Sequence, residues 1–346
     1  MSRSQLTNLL GTDLPVIQAP MAGVQDAVLA AAVSNAGALG SIPAALLTPD
    51  MLRDEVKAVT AATTRPFNVN FFCHTPPVRD EASEARWREL LIPYYREFGL
   101  DPAAVHPAPS RTPFGHDEAD VLAPLKPPVV SFHFGLPSIE LLTRVREWRP
   151  LVLSSATTVD EARWLEANGV DAIIAQGFEA GGHRGMFLQA NLATQLGTFA
   201  LIPQIVRAVK VPVIAAGGIA DVAGVAAALA LGAAAVQVGT AYLLCPEAKT
   251  SAVHRDALAS SQAALTALTN VFTGRPARAI VNRLVAELGP INPAAPGFPL
   301  AASAVAPLRS AAEGRGSGDF SPMWAGQNVT GCSRIPAAEL TARLCP

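Results

Sequence analysis

Short apolar runs alternate with stretches of helical periodicity from the N-terminus almost to residue 248. The runs that begin at 15, 38, 67, 129, 151, 172, 212 and 234 predict strands. Between them, 27–36, 48–62, 80–98, 138–148, 160–168, 198–210 and 221–231 predict helices. The first has Asp26 as its cap and Gly37 as its stop. Strands that alternate with helices imply a parallel sheet, and eight of them imply an α/β fold of the closed (β/α)8 TIM-barrel type. The rhythm breaks twice. Residues 100–128 are Pro-rich and read as an irregular excursion over the barrel surface. After Pro246 the strand pattern stops, 251–267 and 278–287 read as helices, and 289–300 reads as a Pro-rich loop. The expected organisation is a barrel of 1–246 plus about 316–346, with a smaller, mostly helical cap over about 247–315.

Composition supports a large core and narrows the partners. Half of the 346 residues are hydrophobic, 16% are charged, and net charge is −2. That balance gives no electrostatic reason to expect nucleic acid or an anionic membrane. The apolar stretch 222–235 is Ala/Gly-rich and too short to span a bilayer. The first residues lead into no apolar leader, so the expected location is cytoplasmic. Four cysteines (Cys73, Cys245, Cys332, Cys345) lie far apart without metal-ligand spacing, which predicts reduced thiols and no metal site.

Candidate chemistry clusters where strands end. The sixth strand opens into Ala175-Gln176-Gly177-Phe178-Glu179-Ala180-Gly181-Gly182-His183-Arg184-Gly185, a glycine-rich loop around one histidine. Glycine permits close backbone approach to a ligand, and histidine is suited to proton transfer near neutrality. The loops after the seventh and eighth strands carry Gly217-Gly218 and Gln237-Val238-Gly239-Thr240. In a TIM barrel those loops are where a phosphate often sits, and glycine N–H groups with a threonine hydroxyl form an anion cradle that needs no lysine. Asn70 ends the third strand, and Gln18 and Met21 end the first. His133, between Phe132 and Phe134, faces opposite to both, toward either the barrel interior or the helices. His74, His106 and His116 read as surface loop residues. No Rossmann glycine pattern, P-loop, zinc-protease motif or serine elbow is present.

Taken in order, Gln18-Ala19-Pro20-Met21, Phe67-Asn68-Val69-Asn70, Ser131-Phe132-His133-Phe134-Gly135, the 176–185 loop, Ala215-Ala216-Gly217-Gly218-Ile219 and Gln237-Val238-Gly239-Thr240-Ala241 resemble the nitronate monooxygenase family. Thr273-Gly274-Arg275-Pro276-Ala277-Arg278 and Trp324-Ala325-Gly326-Gln327 extend the likeness. The resemblance implies an FMN enzyme that oxidises alkyl nitronates with O2. It further implies His183 as the catalytic histidine, with His133 as a second polar group toward the flavin. Flavin contacts would come from Ala19, Pro20, Met21, Asn70, Gln176, Gly181, Gly182, Gly217, Gly218, Gln237, Val238, Gly239 and Thr240. Its implied partners are an alkyl nitronate and O2, for a monomer or homodimer.

Two features qualify the likeness. Where the family pattern places tyrosines and a lysine near the substrate entrance, this chain has His254, Phe298, Ala302 and Ala306. That implies a wider, more apolar pocket without phenol donors or an ammonium to attract an anion, one that disfavours carboxylated nitronates. The same scaffold also admits an NAD(P)H-dependent flavin reductase of the quinone or enoyl-acyl carrier protein type, or a non-catalytic barrel that senses a phosphorylated metabolite.

Overall fold

The computed structural model describes residues 3–104 and 111–345. His106 lies outside the described residues. In chain order the strands are β1 (Val16–Gln18), β2 (Gly40–Pro43), β3 (Phe67–Phe72), β4 (Val129–His133), β5 (Leu151–Ala156), β6 (Ala172–Gln176), β7 (Gly182–His183), β8 (Val213–Ala216), β9 (Ala235–Val238), β10 (Thr266–Thr269) and β11 (Ala277–Ile280). Eight of these form one parallel sheet in the order β1-β9-β8-β6-β5-β4-β3-β2. A parallel bridge between Ile17 and Leu39 brings β1 alongside β2, so the sheet curls into a TIM-type barrel.

Strand alternation divides the core into two layers. Val16, Val69, Val130, Val152, Ile173 and Val236 pack outward under the helices, whereas Ile17, Leu39, Val129, Leu153, Ile174 and Ile214 fill the barrel. Leu6 and Leu10 of the helix Arg3–Leu10 join that inner layer. Polar side chains start the helices where the sequence puts them. Asp26 accepts from the Val28 N–H, Thr48 from the Met51 N–H, and Asp221 from the Gly224 N–H. Among the described residues no helix is long and apolar enough to cross a membrane.

The irregular parts depart from the pattern-based expectation. The excursion 100–128 contains a helix, His116–Leu125. The helix expected over 251–267 is the short Ala252–Leu258, followed by β10. The helix expected over 278–287 is replaced by β11 and a single short helix, Arg283–Leu288. Ala277-Arg278-Ala279-Ile280 has good helix formers, but β11 pairs antiparallel with β10 on one side and β7 on the other. That pairing buries Ala277 and Ala279 and outweighs local propensity. An unforeseen helix, Ala301–Glu313, packs against Glu81–Phe98, joined by Trp87 Nε1–H to the Ala301 carbonyl and Tyr95 O–H to the Ala304 carbonyl. The C-terminal helix Ala337–Arg343 returns to the barrel side, where Thr341 hydrogen-bonds Tyr242.

Candidate active site

The C-terminal ends of the barrel strands open into a cavity of about 1300 Å³, measured to its open mouth. Its wall includes Ala19, Pro20, Met21, Asn70, His133, Gln176, Gly181, Gly182, His183, Gly217, Gly218, Gln237, Gly239 and Thr240. Of the residues singled out in the sequence as cofactor or catalytic candidates, Val238 is the exception. Its side chain is buried in the outer core, as alternation after Gln237 requires.

The loop that carries His183 is built from both sides. From below, Gln176 Nε2–H donates to the His183 carbonyl at 2.9 Å, and Gln176 Oε1 accepts the Gly185 N–H at 2.8 Å. The Gln176 amide therefore acts as a piece of backbone laid across the loop. From the side, β7 pairs with β11, setting His183 opposite Ala277 and Gly182 opposite Arg278. Between them Arg184 is fully buried, its guanidinium bonded to the carbonyls of Gln176 and Gly177 and to Gln195 Oε1.

His133 does face the cavity, but both ring nitrogens are engaged by protein. A carbonyl only accepts, so the 3.2 Å contact from Nε2 to the His183 carbonyl places the proton on Nε2. Nδ1 then accepts from the Ser155 hydroxyl at 2.6 Å. Gly185 makes room for this: a Cβ there would come within 2.9 Å of the His133 ring and 2.8 Å of Ser155 Oγ.

The His183 ring sits in an aromatic enclosure, 5.1 Å from Phe298, 5.3 Å from Trp324, 6.1 Å from Phe72 and 6.2 Å from Phe134 (ring centroids). Nε2 lies 2.9 Å from Thr273 Oγ1. Nδ1 has no protein partner among the described residues. Burial first, then the Arg111 charge, holds the His183 pKa well below its usual value. Burial does the same to His133, lowered to about 3, and to His74 and His254, each lowered to about 4. These four buried imidazoles, three of them in the cavity wall, are therefore neutral at pH 7.

The two loops expected to hold an anion line the same cavity as His183. Gly217 and Gly218 have φ of +119° and +70°, a left-handed turn that only glycine adopts without strain. The N–H groups of Gly218 and Gly239 find no acceptor among the described residues. Segment 326–328 latches both loops: the Gly326 N–H donates to Thr240 Oγ1 at 2.9 Å and Asn328 Nδ2–H to the Gly218 carbonyl at 3.1 Å. Asn70 donates its N–H to Ser131 and leaves Oδ1 toward the cavity. Gln237 Oε1 is buried in the wall with no partner, and so is His254 Nε2. Free N–H donors at one end and orphaned acceptors along the wall fit a phosphorylated ligand with its own hydrogen-bond donors, as a flavin mononucleotide has.

Other expectations need correction. His74 is buried, not on the surface, with its ring 4.8 Å from that of Phe298. His116 is exposed but starts a helix. Of the four entrance positions, His254 and Phe298 are buried, and His254 lines the cavity. Ala302 and Ala306 do not line it, and Ala306 is exposed. Nor is the pocket free of cations. Arg111, from the middle of the excursion, lines the wall with its guanidinium carbon 5.7 Å from the Phe298 ring centroid. The reason for expecting carboxylated nitronates to be disfavoured falls with that correction. Arg111, Arg184, Arg275 and Ser155 were missed because no motif surrounds the first and the others read as loop or strand filler.

A family model described as nitronate monooxygenase matches residues 3–346. The chain belongs to the nitronate monooxygenase family. It is 44% identical over 343 residues to a nitronate monooxygenase of Paraburkholderia phytofirmans, covering 98% of this chain and 93% of that one. To a nitronate monooxygenase of Pseudomonas aeruginosa it is 43% identical, covering 98% and 97%. The solved structure of a nitroalkane oxidase from Streptomyces ansochromogenes superposes with TM-score 0.90 at 39% identity, covering 98% of this chain and 96% of that one. FabK from Thermotoga maritima is a weaker match, with TM-score 0.71 and 28% identity, covering 98% and 94%. As a nitronate monooxygenase family member the chain is an oxygenating oxidoreductase of a flavin-dependent family.

Proposed function

We propose that this chain binds FMN in the cavity and oxidises alkyl nitronates with O2 to carbonyl compounds and nitrite. One observation carries the reading: the His183 ring and the Gly218–Gly239 cradle face one cavity, so a phosphate held by the late barrel loops puts its attached ring within reach of the imidazole. The phosphate falls to Gly217, Gly218, Gly239 and Thr240. Asn70, Gln237 and the 19–21 turn are the polar and van der Waals wall for the rest. When bound, FMN supplies electron acceptance from the substrate and the reaction with O2.

The protein's own contribution centres on His183. With Nε2–H donating to Thr273 Oγ1, Nδ1 offers a lone pair to the α-proton of a neutral nitroalkane. If the Thr273 hydroxyl donates to Nε2 instead, Nδ1–H is a neutral donor to a nitronate oxygen. A threonine hydroxyl both donates and accepts, so one ring meets both substrate forms: it becomes imidazolium when it takes the α-proton and stays neutral when it donates to a nitronate. His133 and Gln176 are positioning residues, since both hold the His183 carbonyl; His133 has no N–H left for a ligand, whereas Gln176 keeps its second amide N–H on the cavity wall. The four surrounding aromatic rings exclude water from the imidazole.

In this reading residues 1–246 with 316–346 hold the flavin, and 247–315 shape the substrate side. The protein works in the cytoplasm as a monomer or homodimer on small molecules alone. The test is anaerobic mixing with ethylnitronate or with NADH while the flavin spectrum is followed. Bleaching by ethylnitronate, with O2 uptake on aeration, is expected. Bleaching by NADH alone would make the protein a flavin reductase.

A further inference from the structure

We propose that Arg111 is the residue by which this pocket recognises the negative charge of its substrate, selecting the nitronate anion over the neutral nitroalkane. The inference rests on the nitronate reading above.

Arg111 is the cation that the cavity wall presents. Arg275 lies near but not in the wall, with its guanidinium carbon 3.9 Å from the Phe134 ring centroid and an N–H on the Met186 carbonyl. Arg184 and Arg278 direct their N–H groups to carbonyls of the 176–178 turn and to side-chain oxygens of Gln195 and Thr266. None of the four has a carboxylate within ion-pair distance among the described residues, but the other three are bonded to protein oxygens, and no such bond from the Arg111 guanidinium is found among the described residues. Burial lowers its pKa only to about 10, so it keeps its charge at neutral pH.

Position matches this role. The guanidinium sits beside Phe298, whose ring is 5.1 Å from that of His183. Among the charged groups that act on His183, Arg111 acts most strongly. Phe298 is itself held by His74, whose ring lies 4.8 Å away, centroid to centroid. The apolar ring beside the guanidinium reduces its hydration, which strengthens pairing with an anion.

The chemistry is a fork meeting a fork. A nitronate carries its charge over two oxygens on one nitrogen, a planar pair that a guanidinium can engage through two parallel N–H groups. A nitroalkane has the same two oxygens without the net charge. With the neighbouring imidazoles neutral, discrimination between the two forms falls to Arg111.

Arg111→Gln and Arg111→Lys separate this role from packing. Flavin content and thermal midpoint are measured first, then KM for ethylnitronate and nitroethane by O2 uptake. Binding of nitrate, an unreactive planar anion, is read from perturbation of the bound-flavin spectrum. The expected result for Arg111→Gln is an about 10–100-fold rise in KM for ethylnitronate and a parallel weakening of nitrate. Nitroethane should change by less than about threefold, and Arg111→Lys should recover much of the anion affinity. Equal losses on both substrates, or unchanged ethylnitronate KM and nitrate affinity in Arg111→Gln, would overturn the proposal. If wild-type protein binds flavin but consumes no O2 with any nitronate, the functional reading fails instead. The nitrate titration still reports on Arg111 in that case.

Discussion

His133 Nε2–H donates to the backbone carbonyl of His183 at 3.2 Å, and the Gln176 amide donates to that same oxygen at 2.9 Å. One histidine thus holds the main chain of another. The arrangement assigns the two rings different work, although both reach the cavity. His183 retains a ring nitrogen for a ligand, whereas His133 has none left.

Replacing His133 by leucine, or Ser155 by alanine, should leave flavin bound and lower kcat by about 10–100-fold, because the His183 main chain loses a fixed contact. Gln176→Leu should do the same. The discriminating measurement is a double variant: His133→Leu added to His183→Asn should cost little more than His183→Asn alone. Additive losses would mean His133 acts on the ligand itself.

His183→Asn should keep the flavin and slow oxidation of neutral nitroalkanes by about 10²–10⁴-fold, the span of a general base. With preformed nitronates the loss should be smaller, since no proton needs removal. Thr273→Val should fall between wild type and His183→Asn on both substrates, as the ring loses the partner that sets its tautomer. O2 uptake on paired nitroalkane and nitronate substrates checks both variants, and equal losses on the two forms would rule out proton abstraction by His183.

Gly218→Val should abolish flavin retention while the barrel still folds. The residue has φ +70°, which a β-branched residue adopts only with strain. A Cβ there would also press on Glu179, whose carboxylate accepts from the Thr198 N–H at the start of the next helix. Flavin absorbance per mole of purified protein, read beside far-ultraviolet circular dichroism, separates loss of cofactor from loss of fold.

Folding stability should fall as pH drops below about 6.5, with a slope that lessens below about pH 4 as His74 and His254 take up protons and continues while His133 and His183 stay neutral. His74, His133 and His254 have folded-state pKa values of about 4, 3 and 4, and His183 is shifted in the same direction. Between those values and the unfolded value the unfolded chain binds protons that the native state does not. Each such histidine therefore removes about 1.4 kcal/mol per pH unit in that window. Urea midpoints at pH 7.5, 6 and 5, at fixed flavin concentration, test the slope, and His254→Gln should flatten it. A midpoint independent of pH would show that these rings are not buried neutral.

The barrel was legible because its strands are uninterrupted apolar runs and its helices carry polar caps, such as Asp26 and Asp221, that act locally. The glycine loops and His183 were legible for a similar reason, since each motif lies at a strand end that the topology brings to one face. The cap was not. Ala277–Ile280 is held as a strand by β10 on one side and, on the other, by β7, almost a hundred residues earlier, and that second partner has no local signature. Arg111 shows the same limit: a single arginine in a Pro-rich stretch gains meaning only when Phe298, distant in sequence, lies beside it.

Arg184 was read only as a neighbour of His183, yet it is fully buried and bonded through Nε to Gln195 Oε1 at 3.0 Å and through Nη2 to the Gln176 carbonyl at 2.8 Å. It also reaches the Gly177 carbonyl, so one guanidinium satisfies two carbonyls where β6 gives way to the loop. Truncation leaves the Gln176 carbonyl and Gln195 Oε1 without this donor and the Gly177 carbonyl with the Ala180 N–H alone, which costs more than the bonds contribute net. Arg184→Met should therefore destabilise the protein by about 2–4 kcal/mol, whereas Gln195→Ala should do less because both carbonyls keep their donor. Because Arg184 follows His183 directly, the surviving folded fraction of Arg184→Met should also lose kcat, with KM for ethylnitronate little changed. Urea titration and O2 uptake on the same preparations decide it. A stable Arg184→Met protein with wild-type kcat would mean that the Gln176 clamp and the β7–β11 pairing alone suffice to aim the imidazole.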